Sequence, residues 1–340
     1  MELGAYFRGV FRTGLIAAAC LIQQPAAHAQ DMKDVTIVVP NPSALNNFPL
    51  FVAMGEGYLK DEGLNVTVEV VNGSASVLQT MAAGQAQIGN PGPGPLLGAR
   101  ARGEDVVFIY NHFPKSVFGL VVKDDSTVKE PKDLKGAVIG VGTADGAEVG
   151  FTRAILAEAG LEEGKDYEFL AVGDGGTAVA AFLNNEISAY AAAVSDSAII
   201  QSKGIALREI TPEAALAYFG NGWAVTRAYM TENPEIIEGF GRALVKGVKF
   251  GMEPANRDKV LAYAAVGNPQ EGEDKAFADM LLTAIQNRVT PVDKSTPWGF
   301  QPPEHWKMWH QSLVETGALS APLDDLNAAY TNDFVKAWNE

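Results

Sequence analysis

The stretch 63–89, GLNVTVEVVNGSASVLQTMAAGQAQIG, decides the fold, because the stretch 164–190, GKDYEFLAVGDGGTAVAAFLNNEISAY, repeats its pattern. Each stretch begins with an apolar strand and continues through a glycine turn, a helix and a short second strand. Another matching pair lies upstream, where the strands Val35–Val39 and Ala137–Val141 each precede a helix. Strands that alternate with helices form parallel sheets covered by helices. The duplication therefore predicts an α/β protein of two lobes with the same topology, each a sheet flanked by helices.

Two strands outside the duplication are predicted to connect the lobes. Phe118–Val122 lies between the copies and Trp223–Arg227 follows the second copy, so the chain would cross between the lobes twice. Such a pair forms a two-strand hinge, which suits a cleft that closes on a ligand. The C-terminal part is predicted to be helical, with Asn233 as a cap and Pro234 in the first turn, and to pack on the first lobe. We expect residues 30–122 and 218–340 to form the first lobe and residues 123–217 to form the second.

The first residues have the three regions of a secretory signal peptide. Two arginines precede the apolar run Gly14–Ile22, and Ala27-His28-Ala29 is a small-x-small cleavage site. A membrane anchor needs about 18 or more apolar residues, and this run is shorter. We therefore expect residues 1–29 to be removed and the mature protein to be periplasmic. The alanines before Cys20 loosely resemble a lipoprotein cleavage site, so lipidation of Cys20 is the alternative.

Charge and cysteine content exclude several classes of protein. The chain has 340 residues, of which 41 are acidic and 26 are Lys or Arg, and its net charge is −15. Strong acidity argues against nucleic acid and anionic membrane surfaces as partners. Cys20 is the only cysteine, so a mature chain cut after Ala29 has none. This excludes thiol catalysis and cysteine-ligated metal. We expect a soluble monomer with no nucleic-acid partner.

The topology selects the loops that would bind a ligand, because ligands of parallel α/β sheets bind beyond the carboxyl ends of the strands. In the first lobe these loops are Asn41–Phe48, Asn72–Ser74, Asn90–Gly94 and Tyr110–Phe113. In the second lobe they are Gly142–Glu148, Gly173–Gly176 and Ser195–Ser197. They are rich in short polar side chains that donate and accept hydrogen bonds, and in glycines that let backbone N–H groups approach a ligand. The alternative is that the same residues only form turns and helix caps.

Charged and aromatic residues in these loops indicate a class of ligand. Asp174 and Asp196 are placed to pair with N–H or cationic groups of a ligand, and His112 is the one obvious base in the cleft. A strongly anionic ligand would normally require more arginine. Trp223, near the return crossing, is a candidate to stack on a planar ligand and to report lobe closure. We expect a polar organic ligand, such as an N-heterocycle or an amine.

The sequence gives little support to a catalytic function. Beyond the predicted signal peptide the histidines are His112, His305 and His310, and the last two are five residues apart, not the four that place two ligands on one helical face. There is no Gly-Lys-Ser/Thr phosphate loop and no Gly-x-Ser-x-Gly nucleophile elbow. We expect no catalytic residue, no metal and no cofactor. An exported ligand-sensing receptor and an exported enzyme on the same fold are the alternatives to a binding protein for transport.

Several segments resemble one family. These are PLFVA at 49–53 with GYLKDEGLNV at 57–66, AAGQAQIG at 82–89, PKDLKGAVIGV at 131–141 and YTNDF at 330–334. Together they resemble the aliphatic-sulfonate and thiamine-precursor (NMT1/THI5-like) substrate-binding proteins of ABC transporters. The resemblance implies a type II periplasmic-binding-protein fold, no catalysis and delivery of the ligand to a permease in the inner membrane.

The resemblance also implies where the ligand contacts lie. Carried over to this chain, they fall at Asn46, Asn47, Phe48, Asn90, Pro91, Thr143, Asp145, Ser195 and Asp196. Many sulfonate binders have Trp-Asp-Pro where this chain has Val194-Ser195-Asp196-Ser197, which counts against a sulfonate as the ligand. The pyrimidine-synthase branch of the family has a cysteine-rich motif that this sequence lacks.

Overall fold

The computed structural model describes residues 32–340, so the predicted signal peptide and Cys20 lie outside the described residues. The strands are β1 (Lys33–Val39), β2 (Leu64–Val70), β3 (Ile88–Gly89), β4 (Val106–Tyr110), β5 (Phe118–Lys123), β6 (Ala137–Val141), β7 (Tyr167–Ala171), β8 (Ala189–Ala193), β9 (Leu207–Glu209) and β10 (Trp223–Thr226). The helices before the return crossing are α1 (Phe48–Gly55), α2 (Tyr58–Asp61), α3 (Gly73–Ala82), α4 (Pro93–Ala101), α5 (Ala147–Glu158), α6 (Gly176–Leu183) and α7 (Val194–Ser202). Those after it are α8 (Arg227–Glu232), α9 (Pro234–Met252), α10 (Arg257–Gly267), α11 (Pro269–Gly272), α12 (Lys275–Val289), α13 (Pro303–Glu315) and α14 (Val335–Asn339).

The strands form two five-stranded sheets of the same topology. The first has the order β2-β1-β3-β10-β4 and the second the order β7-β6-β8-β5-β9. In each sheet the first three strands are parallel, and the fourth is antiparallel to its neighbours. The duplication predicted from the sequence is confirmed, and it extends one helix and one strand further than the matching stretches, through α4–β4 and α7–β9.

The two predicted crossing strands are the antiparallel members of the sheets. β5 pairs with β8 and β9 of the second sheet, and β10 pairs with β3 and β4 of the first. The chain therefore passes between the sheets at residues 111–117 and again at residues 210–222, next to these strands.

The C-terminal helices contact both lobes and not only the first. α9 packs against α1 of the first lobe, but α12 contacts α7 and α13 contacts both α4 and α5. Trp309 and Leu313 of α13 lie beside Gly94 in the first lobe and Gly150 in the second, at 3.6–3.8 Å from the Cβ position of each glycine. Trp309 Nε1 donates a hydrogen bond of 3.1 Å to the carbonyl oxygen of Phe219, in the second connecting segment. One continuous apolar core consequently runs from the first lobe through α13 into the second.

No helix among residues 32–340 combines the length and the apolar character needed to cross a bilayer.

Candidate functional site

A cavity of about 690 Å³ lies between the lobes, at the carboxyl ends of β1, β2, β6, β7 and β8. This is where the topology predicted a ligand. Its first-lobe wall includes Asn41, Ser43, Asn72, Gly73, Ser74 and Asn221. Its second-lobe wall includes Thr143, Ala147, Glu148, Asp174, Gly175, Ser195 and Asp196. The third wall comes from the C-terminal helices and includes Asn268, Gln270, Glu271, Glu273, Asp274 and Phe277.

A direct hydrogen bond joins the two lobes beside this cavity. Asn46 Nδ2 donates to Ser195 Oγ at 3.3 Å, and both residues are buried. The carbonyl oxygen of Asn46 lies 2.8 Å from His112 Nε2. Burial lowers the pKa of His112 to about 4, against the opposing effect of that hydrogen bond. The ring is therefore neutral at pH 7, and its Nε2–H donates to the carbonyl oxygen of Asn46 without adding a positive charge near the cavity.

Three second-lobe carboxyl groups line the cavity. Glu148 lies in the first turn of α5, Asp174 follows β7, and Asp196 lies in the first turn of α7. The Cβ position of Gly142 lies beside Asp174 Oδ1 and is 3.2 Å from Glu148 Oε1, so only a glycine fits between these two side chains. Glu148 Oε1 also accepts the backbone N–H of Thr143 at 3.1 Å.

The pKa values of these carboxyl groups are shifted upward. Burial, and then the charges of Asp174 and Glu148, raise the pKa of Asp196 to about 8. Burial raises the pKa of Glu148 to about 7, although the backbone N–H of Thr143 acts in the opposite direction. Burial also raises the pKa of Asp174, opposed by a hydrogen bond from Tyr190. In the chain from residue 32 onward, none of the three forms an ion pair with a lysine or arginine.

The cavity also presents neutral polar groups with unused hydrogen-bonding capacity. Ser74 Oγ accepts the backbone N–H of Gly92 at 3.1 Å, so its hydroxyl hydrogen is left to donate. Thr143 Oγ1 has no hydrogen-bond partner in the described part of the chain. Asn221 is 6 % exposed, and its Nδ2 donates to the carbonyl oxygen of Asn90 at 2.9 Å. That bond leaves Asn221 Oδ1 as the acceptor available to the cavity.

The third wall was missed in the sequence analysis. Glu271 is buried, and its Oε2 accepts the backbone N–H of Leu45 at 3.0 Å, which fixes the C-terminal segment to the loop after β1. Asp274 caps α12 by accepting the backbone N–H of Phe277 at 3.1 Å. The available signal was the acidic run Glu271-Gly272-Glu273-Asp274 between two helices, but nothing local indicates which surface it covers.

Of the residues singled out from the sequence, four line the cavity: Thr143, Asp174, Ser195 and Asp196. Asn46 and Asn47 lie just behind the wall, where Asn47 Nδ2 reaches the carbonyl oxygen of Ser43 at 3.5 Å. Ser195 and Asp196 are not in a loop, because α7 begins at Val194, one residue before them.

The other six residues that the sequence predicted as ligand contacts do not line the cavity. Phe48 and Trp223 are fully buried in the core, Phe48 against Gly251 and Trp223 against Phe240 at a ring distance of 5.4 Å. Asp145 points to solvent. Asn90 and Pro91 are covered by the connecting segment 210–222, whose Asn221 and Gly222 donate hydrogen bonds to their carbonyl oxygens. His112 is buried against the rings of Phe113 and Trp223.

Within residues 32–340, no group of three or more His, Cys, Asp or Glu side chains is arranged to hold a metal ion.

The fold and this cavity define a two-lobed α/β protein with a cavity between its lobes, and the comparisons give its family. Residues 44–256, more than half of the chain, match the NMT1/THI5-like family, so the protein belongs to that family. It is 26 % identical to the riboflavin-binding protein RibY of Chloroflexus aurantiacus over 329 residues, which cover 94 % of this chain and 91 % of RibY.

Solved structures share the fold at low sequence identity. The periplasmic aliphatic sulphonate binding protein SsuA from Escherichia coli has a TM-score of 0.69 at 17 % identity, covering 87 % of this chain and 91 % of SsuA. The desulfurization enzyme DSZB has a TM-score of 0.56 at 16 % identity, covering 89 % of this chain and 98 % of DSZB. The type II periplasmic-binding fold expected from the sequence is thus confirmed, and an enzyme shares it.

Proposed function

We propose that this protein is the periplasmic solute-binding component of an ABC importer, which captures a small polar organic molecule between its lobes and delivers it to an inner-membrane permease. The observation that carries the proposal is the cavity of about 690 Å³ at equivalent strand ends of both lobes, beside the Asn46–Ser195 hydrogen bond. This volume is typical of small-molecule sites. Membership of the NMT1/THI5-like family and relatives named for riboflavin and sulphonate binding support the same function.

Export, lobe division and oligomeric state are parts of the proposal. Residues 1–29 act as a cleaved signal peptide, residues 30–122 with 218–340 form the first lobe, and residues 123–217 form the second, with the protein a monomer. Amino-terminal sequencing of the protein purified from a periplasmic extract tests the first point. A mature chain that begins at Gln30 supports it, whereas a lipid-modified chain that begins at Cys20 contradicts it.

The binding function is tested by native mass spectrometry of the purified protein, followed by a thermal-shift screen. The screen contains sulfonates, pyrimidines, flavins, amines and aromatic acids. One class that raises the melting temperature by several degrees supports the proposal, because a ligand that binds only the native state stabilises it. No stabilisation across the panel, together with no co-purified compound, would contradict it.

An enzyme on the same fold is the second candidate. The observation that favours it is the pair Glu148 and Asp196, since carboxyl groups with pKa values near 7 and 8 are suited to proton transfer. The ligand identified in the screen decides between the two functions: recovery of the compound unchanged after prolonged incubation supports binding alone, and conversion to a product supports the enzyme. A receptor that signals instead of transporting would leave uptake of the labelled ligand unchanged in a deletion strain.

A further inference from the structure

The charge of the cavity wall restricts the chemical class of the ligand. Six of its side chains are carboxylic acids and one is a lysine: Glu148, Asp174, Asp196, Glu271, Glu273 and Asp274 against Lys203. Lys203 follows the last residue of α7, whereas Asp196 is in the first turn, so about 10 Å of helix separates their backbones. Lys203 is therefore too far along the helix to neutralise the carboxyl groups at its start.

The second-lobe carboxyl groups have no counter-charge among residues 32–340, although backbone groups contact two of them. The backbone N–H of Thr143 donates to Glu148 Oε1 at 3.1 Å, and backbone hydrogen bonds from Ala193 and Gly175 act on Asp196, lowering its pKa. Asp174 is exposed on the cavity wall and has a 3.5 Å contact from the Tyr190 hydroxyl. A carboxylate offers about four acceptor sites, so all three groups keep capacity to accept hydrogen bonds from a ligand.

The first-lobe wall independently offers an acceptor at the same end of the cavity. The Cβ position of Gly92 is 3.7 Å from Asn221 Oδ1 and lies against the Cβ of Ala147, the residue before Glu148. Only 6 % of the surface of Asn221 is exposed. Its Nδ2 donates to Asn90, and no residue from 32 onward donates a hydrogen bond to its Oδ1. A ligand at this end of the cavity therefore meets acceptors from both lobes.

We propose that the ligand is an organic cation whose protonated nitrogen, with at most three N–H donors, binds among the carboxyl groups of Glu148, Asp174 and Asp196, while another donor of the ligand reaches Asn221 Oδ1. This inference rests on the proposed solute-binding function. The cation supplies the carboxyl groups with a positive charge that the protein does not provide. Because Asn221 lies outside the second lobe, a ligand that contacts both sides contributes to holding the cleft closed. The hydroxyl groups of Ser74 and Thr143 are left to donate to neutral acceptors elsewhere on the ligand.

The test uses sets of compounds that share one skeleton and differ only in charge. Phenyl, indole and pyrimidine skeletons are each supplied with an aminomethyl, a hydroxymethyl or a carboxylate group, and riboflavin, alkanesulfonates and calcium chloride complete the panel. Binding is measured by thermal shift and then by calorimetry. We expect at least one amine to bind, and its uncharged and anionic counterparts to bind at least about 30-fold more weakly, as when one partner of a buried charge pair is lost.

Two variants and a control locate the binding site. Asp196→Asn and Glu148→Gln are each expected to weaken the best amine by at least about 30-fold. Asp125→Asn is the matched control, because Asp125 is an exposed carboxylate on the second lobe away from the cavity. Its affinity should stay within about twofold of the wild type, as for a screened surface charge. Circular dichroism of each variant shows that the fold is retained.

The outcomes separate this inference from the proposed function. Binding of riboflavin, a sulfonate, calcium or an uncharged compound, without binding of any amine, would overturn the organic cation and leave a solute-binding protein. An amine that binds equally well to Asp196→Asn, Glu148→Gln and wild type would overturn the assignment of the carboxyl groups. If nothing binds and nothing co-purifies, both proposals fail.

Discussion

Asp196 is a carboxyl group whose surroundings favour the protonated form. Its folded pKa of about 8 lies above the ordinary value of 3.8, because of burial first and of the charges on Asp174 and Glu148 second. The folded chain therefore keeps a proton that the unfolded chain releases between about pH 4 and pH 8. The stability that this group contributes is fully present below pH 4 and is lost as the pH rises to 8. Asp196 therefore makes its smallest contribution to the stability of the ligand-free protein at the alkaline end of this range.

Replacing this carboxyl group should stabilise the ligand-free protein in a pH-dependent way. Asp196→Asn keeps the size of the side chain and cannot ionise, so we expect its melting temperature to exceed that of the wild type by roughly 2–4 °C at pH 8, as for a gain of about 1 kcal/mol. The gain should shrink as the pH falls towards 4, where the carboxyl group is protonated in both the folded and the unfolded wild type, so the two proteins should melt together at about pH 4. Scanning fluorimetry at pH 8 and pH 4 measures this. A variant that is less stable at pH 8, or that gains more at pH 4, would show that Asp196 is ionised at little cost.

Among the elements, the contact between α1 and α9 is one of the closest. Gly247 of α9 faces the carbonyl oxygen of Pro49, and its Cβ position overlaps that oxygen. α9 is otherwise a regular amphipathic helix whose buried face includes Ile237, Phe240 and Leu244. The missing side chain at residue 247 lets the two helix backbones approach, and this approach fixes α9 on the first lobe.

An alanine at this position should force the two helices apart. We expect Gly247→Ala to lower the free energy of unfolding by about 1–3 kcal/mol, as for other overpacked cores. Gly98→Ala in α4 is the matched control, because the nearest atom to its Cβ position is Arg102 Nη1 at an ordinary 3.7 Å. The control should gain up to about 1 kcal/mol from helix propensity alone. Urea unfolding compares the two, and equal effects would mean that α1 and α9 adjust without cost.

At the scale of the whole molecule, the lobes meet closely enough to be joined covalently. The Cβ position of Gly73 in the first lobe is 3.8 Å from the Cβ of Thr143 in the second. This is close to the mean Cβ–Cβ distance in disulfides, about 3.8 Å. Gly73 has a φ of 80°, so a side chain there is strained by about 1–3 kcal/mol.

A disulfide at this position should lock the cleft. In a Cys20→Ser background we expect the Gly73→Cys/Thr143→Cys double variant to lose its free thiols on oxidation and to exchange ligand very slowly. Dithiothreitol should restore exchange. The two single variants, treated in the same way, control for the effect of each substitution on affinity. Persistent free thiols, or ligand exchange at the wild-type rate in the oxidised protein, would mean that Gly73 and Thr143 lie further apart in solution.

The part of the site that the sequence predicted is the part built by local pattern. Thr143, Asp174, Ser195 and Asp196 follow strands whose apolar periodicity is visible along the chain, and the strand-end rule places them in one cleft. Asn221 and Glu271 were missed for the opposite reason. Their positions depend on contacts between distant parts of the sequence, such as the hydrogen bond between Leu45 and Glu271, 226 residues apart. His112 and Trp223 also lie near strand ends, but both are buried, Trp223 against Phe240 of α9, and strand-end position alone does not distinguish such residues from those that line the cavity.

The indole ring of Trp309 is in van der Waals reach of a glycine from each lobe and is fixed by Phe219 in the connecting segment. Gly94 and Gly150 have no side chains to interlock with the indole ring. The backbone of each lobe can therefore rotate against that ring. The axis about which the lobes rotate would then lie at α13, on residues that take no part in lining the cavity. Affinity and the rate of capture would in that case depend on different residues, so a change of specificity at the carboxyl groups would leave the rate of opening unaltered.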